Sequence, residues 1–259
     1  MMTDVRVALV NHDTSMYAEL ALRTLCALND DVDFDITVID NASEDETSPL
    51  FTWAGQNGIA VQQSGFSTSE SVNTHGEVLG RAVLESPPTE HFLFLDADAC
   101  FLESGTVSQM RARLRERADI FAVQADMRLF VTEALGLQPR HRDYIDQPDG
   151  TQRRLFPRPH PYCLMVRDSG PFRAVVEHIG LSVASRSAAS RELCGSYDTF
   201  GLATAAMRTH GYGWDVAGGP VLHYAQAAER RDPEDLMRLK DDDCERRLEL
   251  ARDDGRVRP

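Results

Sequence analysis

The stretch His91–Phe101, HFLFLDADACF, decides how this chain is read. Four apolar residues, Phe92 to Leu95, follow the break at Pro87-Pro88 and run straight into two acids, Asp96 and Asp98. So short an apolar run, bounded by turn signals, reads as a strand. Residues two apart in an extended chain point the same way, so Asp96 and Asp98 would present their carboxylates together just past its end.

Upstream, Val5–Val10 (VRVALV) is short and β-branched, ends at Asn11-His12-Asp13, and suits a buried strand. In Ser15–Leu28, Leu20, Leu22, Leu25 and Leu28 fall near helical spacing. A second strand, Phe34–Ile39, ends at Asp40-Asn41-Ala42-Ser43, where Ser43 and the acids after it suit a helix start. A weaker strand is expected over Gly58–Gln62, a loop over 64–74, and a helix from Gly76 to Leu84 that Pro87-Pro88 stops. This alternation predicts a parallel sheet with right-handed crossovers.

Beyond about residue 120 the pattern loosens. Strands are expected at Ile120–Gln124, Arg128–Val131, Tyr162–Val166 and, briefly, Val221–Tyr224. Residues 136–160, with Arg153, Arg154, Arg158 and four prolines, read as a long loop. Tyr197–His210 reads as a helix, and the tail from Pro233 as a charged helix with a disordered end.

The 259 residues suffice for one large α/β domain, and 42% hydrophobic with 26% charged residues is a globular composition. A net charge of −14 repels a nucleic-acid backbone, so nucleic-acid binding is set aside. Five scattered cysteines without a CxxC pair speak against a disulfide framework or a thiolate zinc site. No stretch approaches the ~18 apolar residues of a membrane span, and MMTDVRVALVNHD does not read as a signal peptide. The expected location is the cytoplasm.

Two carboxylates at the carboxyl end of a strand are oxygen ligands suited to a hard divalent ion, which acts as a Lewis acid on a departing diphosphate. The competing reading of Asp96 and Asp98 is a cap and a solvated charge.

Four segments in order, VALVNHD, TVIDNASED, NTHGEVLGRAV and HFLFLDADA, together resemble the nucleotide-binding half of family-2 glycosyltransferases over roughly residues 5–102, and more weakly to 225. The resemblance implies a GT-A (Rossmann-like) α/β fold: a mostly parallel central sheet flanked by helices, with a smaller mixed sheet on the acceptor side. It implies a nucleotide-sugar-binding half at 1–120, an acceptor half at 121–230, and a charged C-terminal helix and tail at 231–259. The implied activity is transfer of a sugar from a nucleoside-diphosphate sugar, UDP-sugar favoured, to an unknown sugar or small-molecule hydroxyl, with Mn2+ or Mg2+.

The implied donor residues are Asn11, Asp40 (toward the base), Asn73, His75, Gly76, Asp96, Ala97 and Arg154, and the implied metal ligands are Asp96, Asp98 and His223. A helix starting near Gly76 independently offers free N–H groups to an anion. A turn or helix cap is the lesser reading of Asp40, while His75 reads equally as a surface histidine, His223 as a core residue, and Arg153, Arg154 and Arg158 as a solvated basic loop. Arg81 is a further phosphate candidate. An inverting transferase needs a base for the acceptor hydroxyl. Asp198 stands where the family places it, Glu192 being a substitute, but Tyr197 replaces the first acid of the usual E-D pair. A Q-x-x-R-W motif is absent, Gln152-Arg153-Arg154-Leu155 being only loosely similar, so a processive polysaccharide synthase is not expected. Two alternatives stand. One is a nucleotidyltransferase, against which the glycine-poor NHDTSMYAEL loop counts. The other is a GT-A-like module that binds nucleotide without turnover.

Overall fold

The computed structural model describes residues 4–66, 74–136, 144–146, 152–154, 158–182, 199–225, 227 and 233–253. Its elements run β1 (Val5–Asn11), α1 (Ser15–Leu28), β2 (Phe34–Asp40), α2 (Ser48–Gln56), β3 (Ala60–Gln63), α3 (Thr74–Glu85), β4 (His91–Asp96), β5 (Ala99–Phe101), α4 (Thr106–Glu116), β6 (Ile120–Leu129), α5 (Phe130–Leu135), β7 (Tyr144–Asp146), β8 (Gln152–Arg154), β9 (Cys163–Arg167), α6 (Gly170–His178), α7 (Gly201–Thr209), β10 (Gly213–His223) and α8 (Glu234–Asp253).

The main sheet has the order β3-β2-β1-β4-β9-β6-β10-β5. Its first four strands are parallel, with Asn11 opposite Asp40 and Val10 opposite Asp96. The chain therefore steps outward from β1 to β2 and β3, then returns to β4 on β1's other flank. That reversal opens a crevice at the carboxyl ends of β1 and β4, where open α/β sheets take ligands. Beyond β4 the sheet is mixed: β9 is antiparallel to β4 and β6, β10 is parallel to β6, and β5 is antiparallel to β10. The mixed part is edge-to-edge continuous with the parallel part, so no sheet boundary falls at residue 120. Strands β7 and β8 pair in a separate hairpin.

Alternation along β4 explains how both faces are covered. Phe92 and Phe94 pack with Val78, Val83, Phe172 and Phe200 under α3, α6 and α7. Leu93 and Leu95 pack with Leu22, Leu25 and Met110 under α1 and α4. Asp96 follows Phe94 in the same phase.

Three expectations need correction. Arg128–Val131 is not a second strand: β6 runs unbroken to Leu129, and Phe130–Leu135 coils into a helix ended by Gly136 at φ 64. Residues 136–160 are not wholly loop, because they contain β7 and β8. The last strand starts at Gly213, not Val221, its register shifting between Val216 and Pro220 where Gly218-Gly219-Pro220 dilutes the strand signal. Helix α7 covers Gly201–Thr209 of the expected 197–210, residues 197–198 lying outside the described residues. The local signals for α4, α6 and β5 went unread, although Ser169 caps α6 through Phe172 N–H (3.3 Å) with Pro171 in its first turn. Among the described residues no helix is long and apolar enough to cross a membrane.

His91 opens β4 at the end of the sheet away from the crevice. It is 1% exposed, and neither ring nitrogen has a hydrogen bond among the described residues. Burial pushes its pKa down to about 4, with Arg111, Arg167 and Arg115 adding to the effect and Glu90 opposing it. The folded chain thus refuses a proton that the unfolded chain accepts below about pH 6.5. Stability is full above that pH and falls as pH drops toward 4, by at most about 3 kcal/mol. Denaturant titrations from pH 7 to 4 should show this loss, and the His91→Leu variant should show a visibly flatter dependence. An equally steep slope in the variant would rule His91 out as its source.

Candidate functional site

Three chain ends meet in the crevice. Asp96 closes β4, and its N–H donates to Tyr162 O (2.9 Å), tying it to the approach of β9. Asp98 sits in the tight turn between β4 and β5. Its carbonyl accepts from Tyr224 N–H (3.0 Å) and its Oδ2 from Ala227 N–H (3.4 Å). His223 closes β10 opposite Ala99, so the β5–β10 pairing delivers it to the aspartates. Its Nε2 lies 3.0 Å from Asp98 Oδ1 and 3.7 Å from Asp96 Oδ2.

One ligand atom from each of Asp96, Asp98 and His223 falls within 4.8 Å of the others. Two carboxylates and an imidazole converging at that spacing fit a divalent ion of the Mn2+ or Mg2+ class, with the imidazole favouring the softer Mn2+. Burial would raise the Asp98 pKa, but His223, by charge and hydrogen bond, more than offsets it and holds the carboxyl below the usual range. For Asp96 burial wins over His75 and His223, and its pKa is raised. Burial presses on His223 too, but Asp98 and then Asp96 reverse it and hold its pKa above the ordinary value.

More basic groups surround Asp96. His75, on the first turn of α3, places Nε2 3.5 Å from Asp96 Oδ1 with its side chain about a third exposed. Gly76 is there for space: a β-carbon would lie 2.6 Å from Ser182 Cα and 2.8 Å from Leu181 O. Arg158 is close enough for its charge to favour ionised Asp96. The ring of His160 meets that of His223 at a tilt, 5.6 Å away, and Tyr162 stacks on His223 at 5.3 Å. His160 Nδ1 accepts from Tyr162 N–H (3.3 Å), and burial, then His223 and Arg158, push its pKa well below the ordinary range.

On the β1–β2 side Asp40 is buried, and its Oδ1 accepts from Asn11 Nδ2 (3.2 Å). Asn11 is fully buried, its Nδ2 also within 3.0 Å of Ser15 Oγ and Ser43 Oγ. Its amide is thus occupied inside the protein, and it serves as a brace for Asp40. Asp45 crosses from the next loop to accept from Ser15 N–H (2.7 Å) and Ser15 Oγ (3.0 Å), and Asp13 Oδ1 accepts from Glu44 N–H (2.6 Å). The hollow lined by these acids is therefore held by structural bonds.

The structure brings together Asp96, Ala97, Asp98, His223, His75 and Gly76, with Asp40 and Asn11 at the neighbouring strand ends. Arg81 is engaged elsewhere: it donates to Ser64 O (2.7 Å) and lies over the Phe66 ring (4.2 Å). Arg154 stands on β8 opposite Tyr144. Asn73, Glu192 and Asp198 lie outside the described residues. His160 and Tyr162 were not singled out from the sequence, and no local signal marks them, since their place depends on β9 crossing to β4.

No protein-family model matches the chain, and no curated protein matches it. Among solved structures it is similar to glucosyl-3-phosphoglycerate synthase from Mycobacterium tuberculosis in complex with Mg2+ and UDP (17% identity, TM-score 0.53, 96% of this chain and 79% of that one). It is similar to the mannosyltransferase PcManGT from Pyrobaculum calidifontis in complex with GDP-Man and Mn2+ (15%, 0.57, 98% and 65%). A third is S. aureus TarS 1-349 (15%, 0.53, 92% and 64%). At such identities the likeness is one of fold, and the fold is that of the GT-A glycosyltransferases.

Proposed function

We propose that this chain is a glycosyltransferase that moves a sugar from a nucleoside-diphosphate sugar, UDP-sugar favoured, to a hydroxyl of a sugar or small-molecule acceptor. The observation that carries the reading is the Asp96–Asp98–His223 cluster at the β1/β4 crevice of a GT-A fold. In this reading the three residues hold Mn2+ or Mg2+. Such an ion neutralises charge on a departing diphosphate as a Lewis acid.

Asp40, oriented by Asn11, accepts from the nucleotide base. The first turn of α3, with His75 and Gly76, offers N–H groups to the diphosphate. Asn73, Ala97 and Arg154 complete the donor side, and Asp198 takes the proton of the acceptor hydroxyl. Residues 1–120 form the donor half and 121–230 the acceptor half. The described cysteines, Cys26, Cys100, Cys163 and Cys244, are free, in keeping with a cytoplasmic location.

The test is to incubate the protein with UDP-, GDP- and dTDP-sugars and Mn2+ and to resolve the products. Nucleoside diphosphate released from one donor class, and lost with chelator, is the expected result. Pyrophosphate release would instead identify a nucleotidyltransferase, and binding without turnover a non-catalytic module.

A further inference from the structure

The C-terminal helix lies against the back of the candidate metal site. Lys240 of α8 is 1% exposed, and a lysine is almost never so buried unless partnered. Its Nζ donates to the carbonyl of Ala225 (2.6 Å). Ala225 has φ 53, a left-handed backbone that costs a residue with a β-carbon about 1 kcal/mol or more and persists only where neighbours enforce it.

His223, Tyr224 and Ala227, close to Ala225 in the chain, all contact Asp98. His223 contacts Asp98 Oδ1, Tyr224 N–H holds the Asp98 carbonyl, and Ala227 N–H holds Asp98 Oδ2. The same helix is fastened at three further points beyond Lys240. Tyr17 Oη donates to Asp241 (2.7 Å), Tyr224 Oη donates to Asp243 (2.8 Å), and Arg252 pairs with the buried Glu19 (2.7 Å). Tyr17 and Tyr224 meet edge to face at 5.0 Å.

We propose that α8 is a working part of the site rather than an appended tail, with Lys240 as a positioning residue that holds the segment after β10 so that Asp98 and His223 stay in ligating register. This rests on the reading of Asp96, Asp98 and His223 as a cation site. The outer partners of metal ligands typically govern 10–100-fold in affinity.

Two effects of removing Lys240 have opposite signs. Taking a positive charge from beside a cation site tightens cation binding. Releasing the segment that sets the ligands weakens it. Positioning dominates, because the Lys240 charge is already engaged by a carbonyl, and that bond fixes the left-handed Ala225 between residues that contact Asp98.

The experiment measures Mn2+ affinity by electron paramagnetic resonance on the full chain, with melting temperatures alongside. Lys240→Met should weaken Mn2+ binding by about 10–100-fold in protein that remains folded at the assay temperature. Arg238→Ala, on the exposed face of the same helix, should leave it unchanged. Unchanged or tighter binding in Lys240→Met overturns the proposal. If that variant does not fold, Lys240→Leu, which likewise lacks a donor, is read the same way. Asp98→Ala separates the two layers. If it binds Mn2+ like the wild type, the cation-site reading itself fails. If it loses binding while Lys240→Met keeps it, only the role of α8 fails.

Discussion

Asp98→Ala is expected to lower product formation by about 10³-fold or more, equivalent to roughly 4 kcal/mol of transition-state stabilisation, in protein that remains folded at the assay temperature. The functional loss follows from position. Asp98 is the residue to which three separate segments are tied: its own β4–β5 turn, His223 at the end of β10, and Ala227 beyond it. Removing it takes away one oxygen ligand and also the neighbour that holds His223 in place. Stability falls as well, because His223 and Ala227 N–H lose a buried partner. Steady-state kinetics with a saturating donor, paired with calorimetric melting, separates the two effects. Activity within tenfold of wild type would remove Asp98 from the reaction.

Phe94→Ala should show a different profile, a stability loss of about 3–5 kcal/mol. Phe94 is fully buried on β4, two residues before Asp96, and its ring lies 5.2 Å from that of Phe200 and 5.9 Å from that of Phe92. Phe200 has φ 69, and its N–H donates to Leu181 O (3.0 Å), beside the backbone on which Gly76 is packed. A cavity at Phe94 therefore removes apolar contact from the centre of one layer and also undercuts the floor beneath His75. Urea denaturation of both proteins measures the change directly. A loss below about 1.5 kcal/mol would mean that the site collapses around the gap, as substitutions that keep packing do.

The amino-terminal half was legible because its information is local. VRVALV, FDITVID and HFLFLD are short apolar runs ending in acids or amides, and each became a strand whose last residue sits at the crevice. Past residue 120 local pattern and structure part company. Strand β10 carries Gly218, Gly219 and Pro220 in its middle, and the pairing with β6 absorbs them through register shifts. Strand β5 has three residues, too few to show a period, yet it sets His223 opposite Ala99, next to Asp98.

The site divides in the same way. Asp96 and Asp98 are readable from two-residue spacing, and His223 only by resemblance. His160, Tyr162 and Lys240 are invisible to pattern, because a buried lysine in EDLMRLKDDDCERRLELARD looks like one more solvated charge. What makes it different is Ala225, 15 residues away in sequence.

The crevice is proposed to bind a nucleoside diphosphate through a divalent ion held by Asp96, Asp98 and His223. Calorimetric titration of UDP, GDP and dTDP into the protein, with Mn2+ and then with chelator, tests it most directly. Saturable binding of one nucleotide class that requires Mn2+ is the predicted result. Absence of binding to all three, with the ion present and the protein folded, would contradict it.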